Sequence, residues 1–310
     1  MLKTPAISRR HLLAGAAALP VAAATGTQAT AAADMMGVAQ TRFNRMKLGS
    51  FEVTTLLVGT RTVEGPQNIF GMNVSADEFA SASAANRLPT DAAQFFFTPT
   101  VVNTGSELIL FDTGLSPEAI SSALQAAGYS TDQVDTVVIT HMHGDHVGGT
   151  AGENGVTFAN AKHVTGAAEM NFWAGTDKNK AFEGKIRPHM DRFDMIDDGA
   201  SVASGVTAMA AFGHTPGHMG YLLESDGQQM LLGADFTNHY VWSLAYPDWE
   251  VKFDMDKSAA AATRRKVLGM LAADNVPFVG YHMPFPAVGY VETHGDGFHY
   301  SPASYQFMMG

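Results

Sequence analysis

The chain has 310 residues, of which 46% are apolar and 16% charged, with a formal net charge of −11. That length allows one large domain or two small ones, and enough chain to bury a core without cross-links. The absence of cysteine excludes disulfides, thiolate ligands, thiol nucleophiles and lipid anchors on cysteine, and the acidic balance makes nucleic acid a poor partner.

Residues 1–33 open with Ser8-Arg9-Arg10-His11-Leu12-Leu13, a twin-arginine pattern. An alanine-rich apolar stretch runs from Leu12 to Ala24, and small-residue cleavage sites follow at Ala29-Thr30-Ala31 and Ala31-Ala32-Ala33. This order of charged, apolar and small-residue regions is that of an export signal. The expectation is a twin-arginine signal peptide over 1–33, a periplasmic or secreted product, and a single domain over 34–310. The apolar part is short and runs into Thr25-Gly26-Thr27-Gln28, so stable membrane insertion is not expected. Residues 1–33 hold three basic and no acidic residues, which leaves a formal charge of −14 on the rest.

Further along, Phe51–Thr60, Thr98–Asn103 and Glu107–Asp112 read as strands, with Gly105 in the turn between the last two. Residues 64–96 are polar and alanine-rich and read as a surface helix with loops. Ser116-Pro117-Glu118 starts a helix that Gly128 stops. The β-branched run Val134–Thr140 reads as a buried strand. Val156–Val164, Gly205–Phe212, Met219–Glu224, Gln229–Ala234 and Pro277–Tyr281 follow as strands, and Asp256–Ala273 as a long helix. The irregular segment Met170–Met195 is a candidate lid. Alternating strands and helices in both halves indicate an α/β layered fold.

The strongest chemical signal is Thr140-His141-Met142-His143-Gly144-Asp145-His146, directly after the buried strand. Imidazole and carboxylate are preferred ligands of zinc and similar ions. His141 and His143 are two apart, so an extended backbone points them the same way. Gly144 permits a sharp turn, after which Asp145 and His146 can reach a second ion. Gly148 and Gly149 allow close backbone packing behind them. His214 lies in a Gly/Pro turn after one strand, Asp235 ends another, and His282 ends a third. Open α/β sheets place their sites at such strand ends.

These motifs resemble the metallo-β-lactamase superfamily, over about residues 42–310. Within it, Val102-Asn103-Thr104-Gly105, Phe111-Asp112-Thr113-Gly114, Ile139–Gly149, Gly213–His218, His282-Met283-Pro284-Phe285-Pro286 and Gly295-Asp296-Gly297-Phe298 resemble methyl parathion hydrolase and its lactonase relatives. The resemblance implies an αββα sandwich, two central mixed sheets flanked by helices. It also implies two divalent metal ions, with zinc the default. His141, His143 and His214 would bind one ion, Asp145, His146 and His282 the other, and Asp235 would bridge them. Asp145 is the candidate catalytic residue, orienting the nucleophile or accepting its proton.

The expected reaction is hydroxide attack on a lactone, aryl ester or phosphotriester, small neutral substrates that need an apolar pocket. Trp173 and Phe182 are the candidate pocket residues, and Phe236, Met283 and Phe285 lie in segments that can line one. Asp112 is either an orienting partner of a ligand imidazole or an ordinary turn aspartate. His218 reads as a satisfied local histidine or as a residue that orients the His214 turn, and Tyr240 is displaced from the position of the lactonase tyrosine. The aromatic loop of methyl parathion hydrolase has no clear match after Gly114. Two alternatives stay open. One is a glyoxalase II-like thioester hydrolase, with Lys178, Lys180, Lys185 and Arg187 as its only nearby basic cluster. The other is a non-catalytic metal-binding protein. A homodimer is compatible with the sequence.

Overall fold

Alternation of side chains along short buried strands sets the architecture. The computed structural model describes residues 34–309, and the chain divides into Met1–Gln40 and Thr41–Gly310. Residues 34–40 carry no helix or strand. The expected signal peptide lies outside the described residues. Among the described residues no helix is long and apolar enough to cross a membrane.

The first half of the larger unit contributes β1 (Phe43–Leu48), β2 (Phe51–Leu56), β3 (Gly59–Glu64), α1 (Ala76–Ala85), β4 (Ala92–Phe97), β5 (Thr100–Asn103), β6 (Leu108–Phe111), α2 (Pro117–Ala126), β7 (Thr136–Ile139) and α3 (Gly144–Val147). Next come β8 (Ala151–Gly152), β9 (Gly155–Val156), β10 (Lys162–Gly166), α4 (Ala167–Ala174), α5 (Lys180–Lys185) and β11 (Phe193–Ile196). The second half adds β12 (Ser201–Ala203), β13 (Val206–Ala210), β14 (Met219–Ser225), β15 (Gln228–Ala234), α6 (Lys257–Asp274), β16 (Phe278–Gly280), β17 (Val288–His294) and β18 (Gly297–Pro302).

Two seven-stranded mixed sheets result, ordered β1-β2-β5-β6-β7-β10-β11 and β12-β13-β14-β15-β16-β17-β18. In the first, β6, β7, β10 and β11 run parallel; in the second, only β15 and β16 do. Ile109, Phe111 and Val138 point between the sheets, onto Val206, Tyr221 and Leu231. Their neighbours Leu108, Leu110, Val137 and Ile139 point the other way, onto Ile120, Ala123 and Leu124 of α2. A strand covered on both faces must be apolar throughout, as Thr136–Ile139 nearly is. On the second sheet, Val267, Leu268 and Leu271 of α6 join the core. Ser116 and Asp256 cap α2 and α6 by accepting from Ala119 N–H and Ala259 N–H. The αββα expectation holds.

Several expected elements differ. Phe51–Thr60 is two strands: β2 stays in the first sheet, while β3 pairs with β4 in a separate hairpin. Residues 64–96 do contain a surface helix, α1, but also β4, whose phenylalanines are buried. Val156–Val164 is not one strand; only the end of β9 and the start of β10 fall within it. The expected lid is built instead from parts of α4, α5, a 3-10 turn and β11, packed through Met170, Trp173, Phe182, Ile186 and Phe193 into the helix-side core.

Candidate metal centre

The ends of four strands bring seven side chains together. After β7 the chain runs through His141 and His143 into α3, which presents Asp145 and His146. The β13–β14 connection supplies His214. The parallel pair β15 and β16 ends side by side, so Asp235 and His282 emerge as neighbours. Ala234 has a left-handed φ of 48°, which turns the chain so that Asp235 leaves the sheet. Gly148 permits the tight seat of α3, since a Cβ there would lie 2.3 Å from the Leu115 carbonyl oxygen.

Ligand atoms of His141, His143 and His214 fall within 4.8 Å of one another, as do those of Asp145, His146 and His282, and those of His141, His146 and Asp235. Asp235 lies between the first two groups. Its Oδ2 is 3.4 Å from His214 Nε2 and 3.1 Å from His282 Nε2, and its Oδ1 is 3.3 Å from His146 Nε2.

The outer nitrogens fix the tautomers. His282 Nδ1 donates to the Phe96 carbonyl at 2.8 Å, His146 Nδ1 faces Asp112 Oδ2 at 2.7 Å, and His214 Nδ1 faces Asp254 Oδ1 at 2.9 Å. Thr140 Oγ1 donates to Asp112 Oδ2, so it accepts from His141 Nδ1 at 3.1 Å. With those hydrogens placed, Nε2 of His141, His146, His214 and His282 each carries a lone pair in the neutral ring. His146 Nε2 and Asp235 Oδ1 are buried without a hydrogen-bond partner. His141 Nε2 and His214 Nε2 both face Nδ1 of His143, at 3.1 and 2.9 Å, and that nitrogen can donate to only one of them. Lone pairs gathered on lone pairs are what a cation resolves, and the nitrogen and oxygen donors fit a divalent metal such as zinc.

The electrostatics divide the cluster. Burial and the neighbouring His146 and His143 hold His141 well below its ordinary pKa, and burial with His214 brings His143 down to about 3. Burial also opposes charge on His146, yet Asp235, Asp112 and Asp145 raise it well above the ordinary range. His282 is also raised above its ordinary value, against burial, by Asp235. Burial pushes Asp235 up, but His282 and His146 bring it well below the carboxylate range.

Asp112 is an orienting residue, not merely a turn aspartate. Its left-handed φ of 61° aims the carboxylate at Thr140 N–H and Oγ1 and at His146. His218 does not hold the His214 turn through its ring; its Nε2 accepts from Asp235 N–H at 2.9 Å. Burial, then His214, lowers its pKa to about 3. Asn238 Nδ2 donates to Asp235 Oδ2 at 3.1 Å. Three further partners had no local sequence signal. Asp254 lies 40 residues from His214, Glu169 sits on α4, and Tyr281 donates from its hydroxyl to the Asp145 carbonyl at 2.5 Å.

A cavity of about 390 Å³ opens onto this cluster. His143, Asp145, Asp235 and His282 form its polar end, while Val63, Phe95, Phe97, Leu115 and Phe253 form apolar walls, with Arg61 beside them. Gly59, Arg61 and Val63 of β3 lie opposite Phe97, Phe95 and Ala93 of β4, so one hairpin face supplies much of the wall. The Phe95 and Phe97 rings meet His282 edge-on, with centroids 5.3 and 5.6 Å away. Trp173 and Phe182, expected here, do not line the cavity. Both are buried in the helix-side core, where Trp173 Nε1 donates to Glu169. Phe236 and Met283 belong to the core between the sheets. The run Phe95-Phe96-Phe97 was the available signal for the true wall.

The family model of the metallo-beta-lactamase superfamily matches residues 98–282, and the chain belongs to that superfamily. The lactonase AidC, a dizinc quorum-quenching enzyme in complex with a product, superposes with a TM-score of 0.77 at 25% identity, covering 85% of this chain and 98% of its own. The hydrolase AbOPH of the beta lactamase superfamily gives 0.78 at 25% identity, covering 87% and 100%. In sequence, N-acyl homoserine lactonase AiiA of Bacillus thuringiensis subsp. kurstaki is 28% identical over 109 residues, which is 35% of this chain. The match spans 40% of that relative's length.

Proposed function

We propose that this protein is a binuclear metal-dependent hydrolase of small neutral lactones or esters, with phosphotriesters as a related substrate class. The observation that carries the reading is the position of Asp235 between two half-shells of donors at the floor of an apolar cavity. In this reading His141, His143 and His214 would hold one ion and Asp145, His146 and His282 the other, with the Asp235 carboxylate within reach of both groups. Zinc is the expected metal, in keeping with the dizinc lactonase neighbour.

Divalent cations held there supply Lewis acidity, polarising the carbonyl or phosphoryl oxygen of the substrate and acidifying water. Among the described residues no serine, threonine or tyrosine lines the cavity, and the chain has no cysteine, which supports water as the nucleophile. Asp145 faces the cavity with a side chain 26% exposed; its carboxylate orients that water and accepts its proton. Val63, Phe95, Phe97 and Leu115 hold the apolar part of the substrate and exclude bulk water. The basic cluster expected to anchor a thioester substrate is not at the cavity: Lys178, Lys180, Lys185 and Arg187 do not line it, Arg187 pairs with Glu183, and Arg61 is the basic residue that does. The twin-arginine pattern supports export to the periplasm or beyond. Replacing Arg9 and Arg10 by Lys in a reporter fusion is expected to stop export.

The activity test is a matched panel of an aliphatic lactone, an acyl-homoserine lactone, an aryl ester and methyl parathion, with His143→Ala and Asp235→Asn as controls. Metal-dependent turnover of lactone or ester, lost in both variants, supports the reading. No turnover of any member by protein with metal bound would refute it.

A further inference from the structure

Glu169 is a fully buried carboxylate on α4 whose hydrogen bonds go to none of the seven clustered side chains. Four donors converge on it. Oε1 accepts from Met142 N–H at 2.9 Å and Trp173 Nε1–H at 2.7 Å; Oε2 accepts from Thr215 Oγ1–H at 2.7 Å and Gly217 N–H at 2.9 Å. Met142 is the residue between His141 and His143, and Thr215 follows His214. One carboxylate therefore ties together the two loops that carry the three-histidine cluster. The approach is close: a Cβ on Gly217 would lie 2.0 Å from the Glu169 backbone nitrogen. None of the four bonds is made to Asp145, His146 or His282, or to a residue next to one of them.

Among the described residues Glu169 forms no ion pair with any Lys, Arg or His. Buried charges are otherwise paired or placed near metal, because an uncompensated one is costly. Its neighbouring loops lead to a cluster of three histidines that gains a cation in the proposed function.

We propose that Glu169 is a positioning residue that sets the spacing of His141, His143 and His214 and supplies the counter-charge for the ion those three hold. The inference rests on the reading of that cluster as a metal site. Both carboxylate oxygens accept from two donors, so an amide in its place turns an NH₂ group towards N–H or O–H donors whichever way it faces. The consequence is confined to one ion site. Outer partners of metal ligands typically contribute about 10–100-fold in affinity.

The test measures zinc affinity by competition with a chromogenic chelator in two single-site backgrounds. His282→Ala weakens the second site and leaves the first; His143→Ala does the reverse. Glu169→Gln in the His282→Ala background is expected to weaken zinc binding about 10–100-fold, and in the His143→Ala background to change it less than about twofold. Equal weakening in both backgrounds, or none in either, overturns the proposal. Failure of both single-site proteins to bind zinc with Glu169 intact overturns the metal-site reading itself. If Glu169→Gln does not fold, Thr215→Val removes one of the four donors in the same backgrounds. Its expected effect is a smaller loss, about threefold to tenfold, again confined to the three-histidine site; a loss in both sites or in neither counts against the proposal.

Discussion

Asp254 joins His214 to a buried arginine: Oδ1 meets His214 Nδ1 at 2.9 Å, and Oδ2 takes Arg264 Nη1 at 2.6 Å. Arg264 comes from α6 and also donates to the Pro247 and Trp249 carbonyls. Burial pushes the Asp254 pKa up, but His214 and Arg264 bring it below the ordinary carboxylate value. The imidazole is thereby fixed with Nε2 free to bind an ion. Asp254→Asn is expected to weaken zinc binding about 10–100-fold while the fold persists. Arg264→Met leaves a buried carboxylate short of its partner and is expected to cost about 3–5 kcal/mol of stability. Zinc competition and urea unfolding measure the two effects.

Phe95 and Phe97 wall the cavity beside His282, whereas Trp173 does not reach it. Phe95→Ala is expected to raise KM for apolar substrates about tenfold, a loss of about 1–3 kcal/mol of binding, with a smaller change in kcat. Trp173→Phe is expected to lower stability by about 1–3 kcal/mol through the lost bond to Glu169 and to leave the order of preferred substrates unchanged. Steady-state kinetics over a series of acyl lengths separate the two.

His239 is buried beneath Trp242, and its Nδ1 accepts N–H bonds from Val241 and Trp242, both at 3.1 Å. Burial holds its pKa down at about 3. The unfolded chain takes up a proton on this ring near pH 6.5, while the folded protein resists until about pH 3. The stability this group confers is therefore fully present above pH 6.5 and falls as pH drops towards 3. Between pH 6 and pH 4 the slope of unfolding free energy against pH is expected to be lower by about 1.4 kcal/mol per pH unit in His239→Gln. Urea titrations at a series of pH values, run on metal-free protein, give that slope. Equal slopes would contradict the assignment.

Legibility from sequence followed the range of the interactions. His141, His143, Asp145 and His146 sit within six residues, so their spacing alone announces a ligand cluster. His214, Asp235 and His282 are legible because each follows an apolar strand and the strands end together. The cavity wall was not legible in the same way. Phe51–Thr60 looks like one strand, but the chain leaves the first sheet after Leu56 and builds the β3–β4 hairpin, which carries Phe95 and Phe97. Trp173, in the irregular segment, reads as a pocket residue; its place one helical turn after Glu169 turns it into the helix-side core instead. Asp254 and Glu169 hold ligand loops through contacts 40 and 27 to 48 residues apart in sequence. No local pattern encodes such pairings.

The proposed function has two metal ions acting together in this cluster. Its most direct test is to titrate zinc into metal-free protein while following hydrolysis of an acyl-homoserine lactone or aryl ester. Activity is predicted to be absent at the start, to rise with added zinc and to reach its plateau at two equivalents per chain, with Asp235→Asn staying near the baseline throughout. Full activity at one equivalent, or turnover that survives complete removal of metal, would contradict it.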